Sequence, residues 1–511
     1  MKLNLFNGND SSDDLVRARR CFRWTFALTL LLKLWLAAYF PITGDEAFFY
    51  QWGAYPDWGY YDHPPMVGWL LYLLNHISSH PLSLRIVTVF LWSVVSLGLV
   101  DLMRRLLPAQ PATAYWLGSL FLALPFAWTL NVVTTDTPLI LFMFVSGYCF
   151  IRATLSDKKT WFAASGVFLG LALLSKYFAG LLAIAYLVYL VRTRKGWLNL
   201  LLLALCALPF AAINIAYNAT HCWNNVMFNL LNRHEDAHWS FGTVALYLVM
   251  MVYLVTPWVA LKLLRTRHAL GQRGALTVLF LVPFALFLLL STKKTIGLHW
   301  VLGFMPFVFL FIGTVSSTDE LQKYFRWTAW LGIPHFLALA VIILLPLSAW
   351  KNTHAYDDIV FHKQTGNIVT ALRNDLPKNS LVMARAYTPA SLLSYYAGEY
   401  WAVFGEGKHH ARQDDIIVDF RRYAGRPIRI FDRKPIEPDE LAPYFESVST
   451  GSFEVSGVQY WYADGKNFNY TTYREHVLKK IAAHYYRIPA FLPVYGCQFL
   501  QRYDLEGCCK Q

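Results

Sequence analysis

Apolar runs of about 17–25 residues recur through roughly the first 345 residues of this chain, and they restrict its fold more than any other feature. Runs of that length match the hydrocarbon core of a bilayer. In lipid every backbone N–H and C=O must find a partner within the protein, so such a chain folds as packed helices. Composition agrees, with 56% of the 511 residues hydrophobic and 15% charged, where soluble domains carry about a quarter charged. Residues 351–511 differ: they are richer in charge, Gly and Pro and contain no long apolar run. The expected fold class is a polytopic α-helical membrane protein with about 11 spans and a C-terminal soluble α/β domain. The expected division is a cytoplasmic segment 1–23, a membrane domain 24–350 and a terminal domain 351–511.

The formal net charge is +13. The basic residues form short clusters between apolar runs rather than one patch, which is the positive-inside pattern and excludes a nucleic-acid surface. Anionic membrane lipids are the expected partners of these clusters. No cleavage site follows the first apolar run, so the basic amino end is expected to stay in the cytoplasm. Spans are expected near 24–41, 82–102, 112–132, a fourth ending at Arg152, 161–175, 178–191, 197–217, an eighth ending at Lys262, 275–290, a tenth ending in TDELQKYFR, and an eleventh reaching about 346. Segment 66–80 is too short to span and reads as interfacial or re-entrant. In this arrangement the Arg/Lys clusters face one side and the acidic, aromatic loops face the other. The exceptions are Lys176, Arg233, Lys293 and Lys294, which fall on the outer side with Asp45, Glu46, Asp62 and Asp136. Ionisable groups at the membrane are costly and mark function.

The first outer loop reads GDEAFFYQWG followed by WGYYDHPPMVGWL. Its acids are embedded among aromatic residues, and the Pro64-Pro65 pair fixes the backbone direction. This loop resembles the first-loop signature of the bacterial branch of the dolichyl-phosphate-mannose–protein mannosyltransferase family. That branch has the GT-C fold and includes the lipid A aminoarabinose transferase and lipopolysaccharide core transferases. The resemblance continues at TTDTPLILF, LALLSKYFAGLL and WNN…LNRH, and more weakly at YTPASLLSYYAGEYWAVFGEGKHHARQDD.

The resemblance implies a glycosyltransferase that moves a sugar from a polyprenyl-phosphate donor to a lipid or glycan acceptor, with lipid A or lipopolysaccharide core foremost. It implies a bacterial inner membrane location and an outer, periplasmic active site. Asp45 carries over as the catalytic carboxylate, orienting the attacking oxygen and taking its proton. The leaving polyprenyl phosphate is already a stable anion and needs no second acid, unlike the leaving group in glycoside hydrolysis. Glu46 is a hydrogen-bonding neighbour, and Tyr61, Asp62 and His63 have supporting binding roles or shape the turn before Pro64. Asp136 either caps the following helix or binds substrate. Lys176 either snorkels to the interface or binds the donor phosphate. Arg233, His234, Lys293 and Lys294 are further phosphate candidates, where oxyanion charge grows during transfer; for the two lysines the alternative is pairing with headgroups. His299 reads as an interface residue. No cofactor or obligatory metal is expected, and Asp45 with Asp136 is the pair a divalent ion would use.

Cys21, Cys149 and Cys206 lie in or beside apolar runs, where Cys acts as a small hydrophobe. If the terminal domain is outside, its compartment allows a disulfide such as Cys497 with Cys508 or Cys509, a pairing that spacing leaves open. The strand-like runs of that domain are LVMARA, DIIVDF, PIRIFD and GVQYWYA. The alternatives are a protein O-mannosyltransferase-like enzyme, which differs only in acceptor, and a transporter of lipid-linked sugars. The transporter reading calls for paired halves with interrupted helices, which the sequence lacks.

Overall fold

The computed structural model describes residues 10–193, 196–231 and 238–508. In chain order its first helices are α1 (Ser12–Tyr39), α2 (Gly44–Ala54), α3 (Met66–Asn75), α4 (Pro81–Leu106), α5 (Pro111–Leu122) and α6 (Phe126–Thr129). Next come α7 (Asp136–Ser156), α8 (Lys159–Leu173), α9 (Ala179–Arg192), α10 (Trp197–Thr220) and the short α11 (Asn224–Val226). Then follow α12 (Phe241–Val255), α13 (Pro257–Arg265), α14 (Gly274–Ser291), α15 (Met305–Val315) and α16 (Thr318–Leu344). The terminal part holds α17 (Tyr356–Lys363), α18 (Thr365–Arg373), β1 (Leu381–Ala384), α19 (Tyr387–Ala397), β2 (Ile428–Asp432), β3 (Ser447–Val455) and β4 (Val458–Lys466).

Among the described residues seven helices are long and apolar enough to cross a membrane, and an eighth if α12 and α13 count as one span bent by 100°. This is fewer than the eleven expected. All eleven segments are helical, but three are short. The 112–132 run breaks into α5 and α6 around Pro125, which cannot continue a helix. The runs that become α8 and α9 stop at 15 and 14 residues on either side of the Ser175–Phe178 turn. The α12–α13 bend falls at Thr256, whose φ of 73° is unusual for a β-branched residue and precedes Pro257. Segment 66–80 contributes α3, ten residues long.

Two compact units form, one from 1–40, 78–212 and 236–343 and the other from 41–77, 213–235 and 344–511. The first is helical. Its core joins residues such as Leu99, Leu117, Phe121, Phe309 and Leu310. Small residues let its helices approach closely: a Cβ on Gly147 would lie 2.2 Å from the Phe307 ring, and one on Gly98 would lie 2.5 Å from Phe144.

The second unit takes in the first outer loop and the segment after α10, in addition to the terminal residues expected from sequence. Its sheet has strand order β1-β2-β4-β3, with β1 and β2 parallel and the rest antiparallel. The β3–β4 hairpin turns at Ser456-Gly457, both with positive φ, as a two-residue turn matching strand twist requires. LVMARA, PIRIFD and GVQYWYA supply β1, β2 and β4. DIIVDF is not a strand: Asp414–Ile417 is a helical turn, in which Asp414 and Asp415 are buried and hydrogen-bonded. The overlooked edge strand β3 alternates between exposed and half-buried positions, so its sequence is too polar to stand out.

The disulfide joins Cys222 to Cys497, not Cys497 to Cys508 or Cys509. Cys222 lies just past α10 and 275 residues earlier in the chain. Proximity in sequence favoured the wrong partners.

Candidate active site

In the second unit, α2 starts in the first outer loop. Thr43 caps it: its side chain accepts from the Glu46 N–H at 3.3 Å, and Glu46 accepts from the Thr43 N–H and hydroxyl, both at 3.1 Å. This reciprocal box satisfies two N-terminal donors and takes up the Glu46 carboxylate, which is 1% exposed. Gly44, Ala47, Phe48 and Phe49 are buried as well, and Asp45 alone in that stretch is exposed. The helix thus has a fixed start and presents one carboxylate outward. Gly44 is required there because a Cβ would meet the Thr388 methyl of α19 at 2.3 Å. From the start of α19 the Tyr387 hydroxyl donates to Asp45 at 3.5 Å. Burial and the nearby Asp45 charge push the Tyr387 phenol up, so it remains a donor.

The YYDHPP turn folds back on α2. The Tyr60 ring stacks on Trp52 at 4.2 Å and its hydroxyl donates to the Trp52 carbonyl at 2.8 Å. The Asn225 amide donates to the Tyr60 carbonyl and the Asn229 amide to the Asp62 carbonyl at 2.9 Å. The Tyr61 N–H donates to Gln413 at 2.9 Å. Asp62 is buried between two imidazoles, with His410 Nδ1 at 3.0 Å and His63 Nδ1 at 3.2 Å. Burial pushes its carboxyl up, but the His63 charge and the His410 hydrogen bond outweigh burial and hold it well below the usual carboxylate range.

Beneath this turn Asp414 and Asp415 are buried. Asp414 accepts from the Tyr400 hydroxyl and from the Val403 N–H at 2.6 Å. Asp415 accepts from the Tyr486 hydroxyl at 2.8 Å and pairs with Arg412 at 3.3 Å. Burial pushes Asp414 up to about 7 and Asp415 up to about 6. A raised carboxyl binds its proton more tightly folded than unfolded, so stability is full at low pH and declines as pH rises from the unfolded value near 4 to about 7. Asp414→Asn mimics the protonated acid, donating to Tyr400 and accepting from Val403. We expect it to melt higher than the wild type at pH 8, by up to about 4 kcal/mol, and to match it near pH 4. Thermal unfolding at the two pH values checks this, and equal melting at pH 8 would count against a strained Asp414 charge.

In the first unit Asp136 opens α7 but does not cap it; Thr134 and Thr137 make the local turn bonds. Instead Lys176, from the turn between α8 and α9, donates to both Asp136 oxygens at 2.9 and 3.0 Å. Both side chains are about nine-tenths buried. Lys176 is therefore neither snorkelling nor open to a phosphate without competition from this carboxylate. His299 Nε2 lies 4.0 Å from Asp136. Lys293 is exposed, its ammonium 5.3 Å from the centre of the Trp239 ring, and Lys294 is half-buried. Arg233 and His234 lie outside the described residues. Among the described residues no three His, Cys, Asp or Glu side chains converge as a metal-binding group.

The profile of the family described as dolichyl-phosphate-mannose-protein mannosyltransferase matches residues 62–220. A lipid A galacturonosyltransferase, RgtD of Rhizobium johnstonii, is 26% identical over 208 residues, which is 38% of this chain and 41% of that protein. The match thus spans less than half of the curated relative. ArnT from Cupriavidus metallidurans has been solved bound to undecaprenyl phosphate and in the apo state. The two structures match with TM-scores of 0.62 and 0.61 at 14% identity, over 86% and 88% of this chain and 97% and 98% of ArnT. The chain has the fold of ArnT. It is also a multi-pass membrane protein, as its apolar helices require. The family profile covers Asp62, His63, Asp136 and Lys176 but begins after Asp45. Sequence reasoning missed Asn225, Asn229, Tyr387, His410 and Gln413. The segments that hold them had been singled out, and the i, i+4 spacing of the two asparagines was the one signal that both face the same way.

Proposed function

We propose that this protein transfers a sugar from a polyprenyl-phosphate donor to an envelope acceptor, lipid A or lipopolysaccharide core, on the periplasmic face of the inner membrane. The observation that carries this reading is Asp45, the one exposed carboxylate on an otherwise buried and doubly capped helical turn. Asp45 takes the proton of the acceptor oxygen as that oxygen attacks the anomeric carbon. The carbon–phosphate oxygen bond breaks on the opposite side, with inversion, and the polyprenyl phosphate leaves as an anion. Lys293, exposed and cationic, is the first choice for meeting the donor phosphate, with Arg233, His234, Lys294 and His63 next. Asp62, held ionised by two histidines, orients His63 and the turn that carries Tyr61.

The relatives support the reading: RgtD is named for transfer to lipid A, and ArnT has been seen with undecaprenyl phosphate. Mass spectrometry of lipid A and core from a deletion strain tests it. One sugar is expected to be missing, and to return with the wild-type gene but not with Asp45→Asn. An unchanged lipid A and core would overturn this choice of acceptor.

A further inference from the structure

The segment Arg487–Gly496, RIPAFLPVYG, is apolar yet uncovered: Phe491 is 80%, Tyr495 79% and Val494 46% exposed. A half-open cavity of about 420 Å³ adjoins it, lined by Ile488, Leu492, Val494 and Leu500 and by the polar Gln501 and Glu506. The segment carries no acid and is flanked by the exposed Arg487.

The segment is fixed just past the end of α10. Tyr495 N–H donates to the Ala219 carbonyl at 3.0 Å, and Cys222 N–H to the Gly496 carbonyl at 3.4 Å. The Trp223 indole donates to the Pro493 carbonyl at 2.9 Å, and the Cys222–Cys497 disulfide closes the arrangement. Helix α10 is one of the seven membrane-crossing candidates. Leu201, Leu205, Leu208 and Ile215 along it are 50–57% exposed, an apolar surface that lipid covers. The uncovered segment therefore adjoins the last turn of a membrane-crossing candidate, near which Ile215 is also 57% exposed.

We infer that residues 488–495 dock on the headgroup layer of the bilayer, with Phe491 and Tyr495 as interfacial anchors and Arg487 facing the phosphates. Aromatic rings favour that depth, where one part of the ring meets acyl chain and the other meets water. The backbone bonds and the disulfide keep the segment level with the end of α10. The occupant is bulk phospholipid, and the contact does not depend on the enzymatic reading above.

The test places benzoylphenylalanine at Phe491, at Tyr495 and, as control, at Lys378, in the full chain in nanodiscs of phosphatidylethanolamine and phosphatidylglycerol. Lys378 is exposed in the turn before β1. Illumination is expected to give phospholipid adducts severalfold more often at 491 and 495 than at 378. Adduct yields at the control level, or adducts to a second copy of the chain or to another protein, would overturn the proposal. Hydroxyl-radical footprinting of the wild type requires no substitution. Tyr495 is twice as exposed as Tyr396, 79% against 40%, yet in nanodiscs it is expected to label less. Heavier labelling of Tyr495 than of Tyr396 would also overturn the proposal.

Discussion

Asp45→Asn is expected to remove transfer by about a thousandfold or more while leaving the fold intact. A positioned general base contributes about 10²–10⁴ in rate, and Asn keeps the shape while losing the proton acceptor. Asp45 is exposed, and among the described residues it accepts from the Tyr387 hydroxyl at the long distance of 3.5 Å, so its charge does little to hold the helix. Glu46 gives the contrast. Glu46→Ala breaks the capping box and is expected to cost about 1 kcal/mol of stability. Thermal unfolding together with turnover of purified protein separates the two. Near-normal turnover in folded Asp45→Asn would remove this residue as the base.

Lys176→Gln and Asp136→Asn are each expected to destabilise the protein in detergent with no donor present. The pair is bidentate and buried. Removing one partner leaves the other charge uncompensated, at a cost of about 3–5 kcal/mol. The double variant Lys176→Met with Asp136→Leu buries no charge and is expected to recover most of the loss. A lysine reserved for the donor phosphate predicts a different result: an unchanged melting temperature and a weakened apparent affinity for donor. Single variants that melt like the wild type would favour that role.

The membrane helices were legible because lipid imposes a length and a charge asymmetry that a linear pattern records. Asp45 was singled out differently, through the resemblance of the first loop to the mannosyltransferase signature, because an acid in an outer loop is by itself an ordinary solvated residue. The groups that hold the first loop were not legible. His410 meets Asp62 across 348 residues and Asn229 reaches the Asp62 carbonyl across 167, and no local periodicity encodes such pairings. The Lys176–Asp136 pair shows a second limit. Both residues stood out as ionisable groups on the outer side, but their pairing is made by the fold across 40 residues. DIIVDF misled because β-branched residues promise a strand, whereas the chain forms a helical turn there with Asp414 and Asp415 buried.

The bond between Cys222 and Cys497 also constrains how the chain is made. Synthesis proceeds at about 5–20 residues per second, so Cys222 waits roughly 14–55 s for a partner 275 residues downstream. During that wait no other terminal cysteine is present. Cys508 and Cys509 follow Cys497 within 12 residues, so order of synthesis does not separate the three thiols. Place selects the partner: the bonds from the Tyr495 N–H to the Ala219 carbonyl and from the Cys222 N–H to the Gly496 carbonyl bring Cys497 up to Cys222.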